Sequence, residues 1–120
     1  MARNAQQRMK RYGSIIGVKE EKLAEYKRLH AAVWPEVQAQ IAKSNIRNYS
    51  IFLRRLPDGH HYLFSYFEYV GDSFANDMAA MAADPMTQKW WAECIPCQTP
   101  LPDRDGGEWW AAMEEVFHQD

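Results

Sequence analysis

Apolar and polar positions follow two different periods along the first third of the chain. Residues 12–19, Tyr-Gly-Ser-Ile-Ile-Gly-Val-Lys, are typical of a strand. From Glu20 to Lys43 the apolar positions recur every three or four residues, which predicts a helix; they are Leu23, Tyr26, His30, Val33, Val37 and Ile41. Pro35 interrupts this pattern, and because proline removes a backbone donor we expect a kink near residues 31–34 or two abutting helices.

A pair of strands follows the helical segment. Residues 46–56 and 61–70 are rich in aromatic and β-branched side chains, and the Pro-Asp-Gly sequence at 57–59 between them is a turn signal. The two segments therefore predict a β-hairpin.

The last third of the chain predicts a broken helix and a final strand. A helix is expected over residues 72–83, capped by Asp72 or Ser73, with a second piece over about 86–93 after a proline break. A loop rich in proline and glycine comes next. Residues 108–118 then predict a strand, because the segment contains Trp109, Trp110, Met113, Val116 and Phe117.

This order of elements, β-α-β-β-α-β, is that of the ferredoxin-like fold, so the sequence predicts an α+β protomer. In such a fold the helices cover one face of the sheet. The other face, to which we assign Tyr49, Phe52, Phe64 and Tyr66 among others, must be covered or hold a ligand. Pairing of two such sheets in a homodimer is one physical solution.

Length and charge narrow the function classes. The 120 residues predict one domain, and the 14 Lys and Arg against 16 Asp and Glu form no block of one sign. We therefore expect neither a nucleic-acid partner nor a membrane surface. Residues 1–11 are polar and basic without an apolar core, which predicts a flexible leader and not a signal peptide, followed by a single domain over 12–120. A cytoplasmic location is the default expectation.

Cys94 and Cys97 form the sequence Cys-Ile-Pro-Cys at the end of a helical segment. A redox pair usually opens a helix after a strand, and a zinc site would need a second pair. We therefore favour two reduced structural cysteines, with redox or metal chemistry as the alternatives.

Tyr26 and His30 are the first candidates for chemistry. Their i, i+4 spacing puts both side chains on the apolar face of the first helix. A histidine on an apolar stripe is often a core residue with satisfied hydrogen bonds. However, a tyrosine hydroxyl one turn away is costly to bury without partners, and histidine can give and take protons near neutrality.

Tyr49 and the pair Trp90-Trp91 are the next candidates. For Tyr49, as for any tyrosine in a strand, a purely structural packing role is the alternative. Adjacent residues on a helix diverge by about 100°, so one tryptophan can pack inward while the other lines a cleft. No nucleotide-binding loop, zinc-protease motif or serine nucleophile elbow occurs. A set of His, Tyr and Trp suits cofactor-free proton transfer on a small neutral molecule.

Five segments between about Tyr12 and His118 form a recognisable set in a fixed order. They are Glu25-Tyr26-Lys27-Arg28-Leu29-His30, Val33-Trp34-Pro35-Glu36, Asn48-Tyr49-Ser50-Ile51-Phe52-Leu53, Gln88-Lys89-Trp90-Trp91 and Met113-Glu114-Glu115-Val116-Phe117. In these segments the sequence resembles the L-rhamnose mutarotase family.

The resemblance implies a dimeric α/β barrel that interconverts the α and β anomers of a 6-deoxy-hexose without metal or nucleotide. It implies His30 as proton donor, with Tyr26, Tyr49, Trp90 and Trp91 in contact with the sugar. The long leader, the fuller hairpin turn and the loop over residues 97–107 depart from the common pattern. Because loops carry much of substrate choice, L-fucose stays an alternative to L-rhamnose.

Two function classes compete with the mutarotase. One is a non-catalytic ligand-binding module of the same barrel type, and the other is a cofactor-free monooxygenase of similar topology. Both would use an aromatic pocket, but neither would catalyse exchange between sugar anomers.

Overall fold

A computed structural model describes residues 9–120, and these form a mixed α/β fold. An antiparallel sheet and four α-helices make up the fold. The strands are β1 (Lys10–Val18), β2 (Ile46–Arg55), β3 (His61–Tyr69), β4 (Gln98–Thr99) and β5 (Ala111–Met113). The helices are α1 (Leu23–His30), α2 (Pro35–Lys43), α3 (Phe74–Ala83) and α4 (Pro85–Cys94), with single 3-10 turns at Glu20–Lys22 and Ile95–Cys97.

The central strand of the sheet is β1, and the strand order is β2-β3-β1-β4, with β5 also paired to β1. All of these pairings are antiparallel. Because β1 begins at Lys10, the last two residues of the predicted leader belong to the sheet, and residues 1–8 lie outside the described residues. The strand thus starts earlier than the tyrosine at which we expected it.

The break in the first helical segment is confirmed. The first helix ends at His30, and α2 begins with Pro35 at its first turn, where the missing backbone donor costs nothing. Trp34 precedes it in an extended conformation, with ψ of 134°. The chain therefore forms two abutting helices and not one kinked helix.

All four helices pack on one face of the sheet, which we call the covered face. Ile16 and Leu63, which are opposite each other on β1 and β3, are 0% and 1% exposed there. Helix residues complete this core: they are Tyr26 and Leu29 of α1, Val37 of α2, and Trp90 and Cys94 of α4. Phe74 of α3 stacks on Tyr12 at the other end of the same face.

The other face of the sheet, which we call the open face, carries Phe52, Phe64 and Tyr66. Our assignment of Tyr49 to this face is wrong. The Tyr49 ring lies 5.5 Å from that of Phe67, which is on the covered face. Alternation along β2 groups Tyr49 with Ile51, and Tyr49 keeps this face although it lies within the irregular register between Arg47 and Ser50.

The predicted final strand is also wrong in length. Only Ala111–Met113 is a strand, and the sequence pattern missed Gln98–Thr99 altogether. Both short strands pair with β1: Ala111–Met113 pairs with Gly13–Ile15, and Gln98–Thr99 pairs with Gly17–Val18. Because they share one strand edge, neither can extend along the whole of it.

The start of α3 differs from the side-chain cap that we expected at Asp72 or Ser73. Ser73 is at the N-cap position of α3, but its side chain makes no capping hydrogen bond. Instead, the Ser73 backbone N–H donates to the hydroxyl of Tyr69 at 3.0 Å. That hydroxyl in turn donates to the carboxylate of Asp77, so a tyrosine from β3 fixes the start of the helix.

Candidate functional site

His30 ends α1, and Tyr26 lies one turn before it on the same helix face. The two rings stack with centroids 4.0 Å apart and an interplanar angle of 22°. Nδ1 of His30 lies 3.0 Å from the backbone oxygen of Tyr26. A carbonyl oxygen only accepts, so Nδ1 carries a hydrogen and Nε2 is the nitrogen left to exchange a proton.

The charge state of His30 follows from its surroundings. Burial lowers its pKa below the ordinary value of 6.5, and the hydrogen bond to the Tyr26 carbonyl opposes part of that effect. The imidazole is therefore neutral near pH 7, with a free lone pair on Nε2. Burial also raises the pKa of the Tyr26 hydroxyl well above 10, so this group stays a phenol that can donate a hydrogen bond.

A cleft of about 300 Å³ opens between α1 and the strands β2 and β3. This volume is at the small end of ligand pockets, which suits a compact ligand. Its lining combines the two candidate groups with apolar strand residues: Tyr26, Lys27, His30, Ala31, Ile51, Leu53 and Leu63. Polar atoms are thus few, and they come mainly from one helix.

The two adjacent tryptophans of α4 have different environments. Trp90 is 6% exposed, and its ring meets that of His30 edge-on at 5.2 Å. The ring of Trp34, which precedes α2, lies 5.2 Å from the ring of Trp90. Trp91 is 37% exposed, and within residues 9–120 no ring contact joins it to this group. Trp90 therefore supports His30, whereas Trp91 presents a ring to solvent.

Tyr49 approaches the site from β2. About two-fifths of the residue is exposed, yet burial of its hydroxyl end, with a contribution from Cys94, raises the pKa of the phenol to about 12. Its hydroxyl also interacts electrostatically with that of Tyr26. The structure thus brings Tyr26, His30, Tyr49 and Trp90 together, and leaves Trp91 outside this group.

Two residues near the tyrosines were not predicted for the site. Cys94 lies one turn after Trp90 on α4, and it interacts with both tyrosine hydroxyls. The i, i+4 spacing of Trp90 and Cys94 could have signalled this position. Gln98, at the start of β4, opposes part of the rise in the pKa of the Tyr26 hydroxyl, and nothing in its sequence neighbourhood indicated that.

Within residues 9–120 no group of three or more His, Cys, Asp or Glu side chains could hold a metal ion. None of the helices in this part of the chain is long and apolar enough to cross a membrane.

A family model described as L-rhamnose mutarotase matches residues 11–119, nearly the whole chain. The chain belongs to the L-rhamnose mutarotase family. Among its relatives, the L-rhamnose mutarotase of Oceanobacillus iheyensis is 34% identical over 93% of this chain and 100% of its own length. That of Lactiplantibacillus plantarum is 30% identical over the same shares of the two chains.

A solved structure supports the fold of this mutarotase-family chain independently. The crystal structure of an L-rhamnose mutarotase from Formosa agariphila covers 92% of this chain and 99% of its own, with a TM-score of 0.69 and 22% identity. Membership in the family confirms the resemblance and the predicted enzyme class, an isomerase acting on carbohydrates.

Proposed function

We propose that this enzyme interconverts the α and β anomers of a 6-deoxy-hexose, with L-rhamnose as the sugar. The observation that carries the proposal is the pairing of His30 with Tyr26 at a small cleft, in a chain that matches the family over residues 11–119. A neutral imidazole beside a phenol supplies both a base and a hydrogen-bond donor. Such a pair suits the opening and closing of a sugar ring.

His30 acts as the proton carrier in this proposal. In ring opening, Nε2 takes the proton of the anomeric hydroxyl, the bond between C1 and the ring oxygen breaks, and the imidazolium gives that proton to the ring oxygen. Rotation about C1–C2 turns the other face of the aldehyde toward the hydroxyl, and the reverse transfers close the ring. One group serves both transfers because both oxygens are bonded to C1. The fixed Nδ1–H supports this role by leaving Nε2 free.

The other site residues bind the sugar. The Tyr26 phenol donates a hydrogen bond to the oxygen that gains negative charge as the proton leaves, and Tyr49 holds a sugar hydroxyl. Trp91 offers an exposed ring on which an apolar face of the sugar can stack, while Trp90 fixes the His30 ring from behind. These roles keep His30 as the proton-transfer group and Tyr26, Tyr49 and Trp91 as substrate-binding residues, but they give Trp90 a supporting role in place of the sugar contact that the family resemblance implies.

Saturation-transfer NMR tests the proposed reaction directly. The purified chain is added to equilibrated L-rhamnose, L-fucose and common aldoses, and the exchange rate between anomers is measured for each. We expect catalysed exchange for L-rhamnose above all other sugars. Greater catalysis for L-fucose would change the assigned sugar. Binding without exchange would favour the ligand-binding module, and oxygen consumption with an electron-rich aromatic compound would favour the monooxygenase.

We also propose that the protomer is ferredoxin-like and that two copies pair their open faces into a dimeric α/β barrel. The antiparallel order β2-β3-β1-β4 and the placement of the helices on one face support the first part. Exposed apolar side chains on the open face support the second, since Phe52 is 64% exposed and Met113 41%. Val116 and Phe117 in the tail add further exposed apolar surface.

Analytical ultracentrifugation tests the pairing. We expect a species with twice the 14.0 kDa mass of one chain, and Phe52→Lys should shift it toward the monomer by placing a charge on the open face. Arg54→Lys, a charge-conserving change on the same strand, is the matched control. A wild-type monomer at high micromolar concentration would contradict the dimer. The cytoplasmic location stays a prediction.

A further inference from the structure

The cleft beside His30 has two chemically different walls. The wall formed by β2 and β3 is apolar, and its residues are Ile51, Leu53 and Leu63. The opposite wall, formed by α1, carries the polar groups of Tyr26, Lys27 and His30. Among the described residues that line the cleft, Lys27 is the one that carries a full charge, because burial keeps the pKa of His30 below its ordinary value. A ligand in this cleft therefore meets hydrogen-bond donors on one side and hydrocarbon on the other.

The ammonium group of Lys27 has no acidic partner. The positions three and four residues away share its helix face, and none of them is acidic; they are Leu23, Ala24, His30 and Ala31. The nearby carboxylate of Glu25 is bound instead by the guanidinium of Arg28, with hydrogen bonds of 2.6 and 2.9 Å. Within the described part of the chain the Lys27 side chain forms no ion pair, and it is exposed. Its three donor hydrogens are therefore available to water or to a ligand.

The position of Lys27 relative to His30 determines which part of a sugar it can reach. The two residues are three apart on α1, which is a rise of about 4.5 Å along the helix axis on nearly the same face. This separation is comparable to the distance across a pyranose ring. When the anomeric carbon C1 lies at Nε2 of His30, the opposite ring carbon, C4, therefore points its hydroxyl toward Lys27. The flexible lysine stem spans the remaining distance.

We propose that Lys27 is a substrate-binding residue that holds the C4 hydroxyl of the sugar and so takes part in the choice between L-rhamnose and L-fucose. These 6-deoxy-hexoses differ in configuration at C2 and C4, and the C4 hydroxyl is equatorial in L-rhamnose but axial in L-fucose. A hydrogen bond from a charged donor is about twice as strong as one between neutral groups, so one ammonium has a measurable effect. The inference rests on the proposed function, which places C1 at His30.

Lys27→Met tests the contact from the side of the protein, because it removes the charge and the donors but keeps the length of the stem. We expect KM for L-rhamnose to rise about tenfold while kcat stays within about twofold, since the lost hydrogen bond is present in the ground state and the transition state alike. Lys27→Arg keeps a charged donor and should restore most of the affinity. Lys43→Met is the control, because it removes an exposed lysine at the end of α2 outside the cleft lining. Equal KM values for Lys27→Met and Lys43→Met would overturn the proposal.

The 4-deoxy analogue of L-rhamnose tests the same contact from the side of the sugar. With the wild-type protein this analogue should have about a tenfold higher KM than L-rhamnose. With Lys27→Met the two sugars should have equal KM values, because the partner of the missing hydroxyl is also gone. The ratio of the kcat/KM values for L-rhamnose and L-fucose should also move toward one in this variant. A penalty for the analogue that is the same in both proteins would contradict the assignment of C4.

Binding measured without turnover separates this inference from the proposed function. Titration of the ¹⁵N-labelled wild-type protein, Lys27→Met and Lys43→Met with L-rhamnose, followed in ¹H–¹⁵N spectra, gives a Kd for each. A Kd about tenfold higher in Lys27→Met alone supports the role of Lys27 even if the wild-type protein catalyses no anomer exchange, which would contradict only the proposed function. Equal Kd values in the three proteins would refute the inference and leave the proposed function standing. A wild-type protein that binds none of the sugars would refute both.

Discussion

The two faces of the sheet are built from the same strands, yet they differ in almost every property. On the covered face, Leu63 is 1% exposed beneath the helices, and the tyrosine hydroxyls have raised pKa values because they are buried. On the open face, Phe52 is 64% exposed, and the Tyr66 hydroxyl donates to a carboxylate of Glu68. Alternation along a strand thus places buried hydroxyls on one side of the sheet and exposed apolar surface on the other.

Of the substitutions on either face, His30→Ala should have the largest effect, and the quantity it changes is the anomer exchange rate. Loss of the proton carrier on the covered face should reduce the anomer exchange rate by about 10² to 10⁴, the usual contribution of a positioned acid–base group. Saturation-transfer NMR measures it. His60→Ala is the matched control, because His60 is exposed on the hairpin turn outside the site. An unchanged rate in His30→Ala would refute its assignment.

Leu63 and Phe64 are adjacent on β3 but belong to opposite faces. Leu63→Ala should lower the free energy of unfolding by about 2–5 kcal/mol, because it opens a cavity in the core. Phe64→Ala should cost less than half of that in dilute protein, and its cost should grow with protein concentration if the open faces pair. Urea titrations at two concentrations measure both. Equal losses that do not depend on concentration would remove the distinction between the faces.

The pH dependence of exchange distinguishes the two protonation states of His30. Burial lowers its pKa in the folded protein, so the neutral form persists to a lower pH than for an exposed histidine. If neutral Nε2 begins the reaction, kcat/KM should be constant above pH 6.5 and fall about tenfold per unit below the lowered pKa. A rate that rises on acidification would instead mean that the imidazolium begins the reaction.

Deleting one tyrosine hydroxyl from each face gives the smallest expected effect. Tyr49→Phe should lower kcat/KM for the sugar several-fold, which corresponds to the loss of one hydrogen bond of about 0.5–1.5 kcal/mol. Tyr66→Phe removes the same atom from the open face and should leave kcat/KM unchanged. Steady-state polarimetry on freshly dissolved sugar measures both variants. A larger loss in Tyr66→Phe would reverse the assignment of the faces.

The local features of this protein were predictable because each depends on neighbours in sequence. Proline stereochemistry divided the helix at Pro35, and the i, i+4 spacing brought Tyr26 and His30 together. The turn at residues 57–59 made the hairpin. The residue pattern that resembles the L-rhamnose mutarotase family was likewise present in the sequence, and the family comparisons confirmed it.

Only the tertiary structure decided which distant residues complete the site. Trp90 meets His30 across two helices, and Gln98, which affects the pKa of Tyr26, lies on a two-residue strand that no periodic pattern marks. The same holds for the shortening of the predicted last strand to Ala111–Met113 and for the separate pairing of Gln98–Thr99 with another stretch of the β1 edge. A local pattern fixes the face on which a side chain lies, but long-range packing of helices and strands fixes what that side chain touches. The sequence therefore determined that Tyr26 and His30 lie together, and the fold determined the groups that surround them.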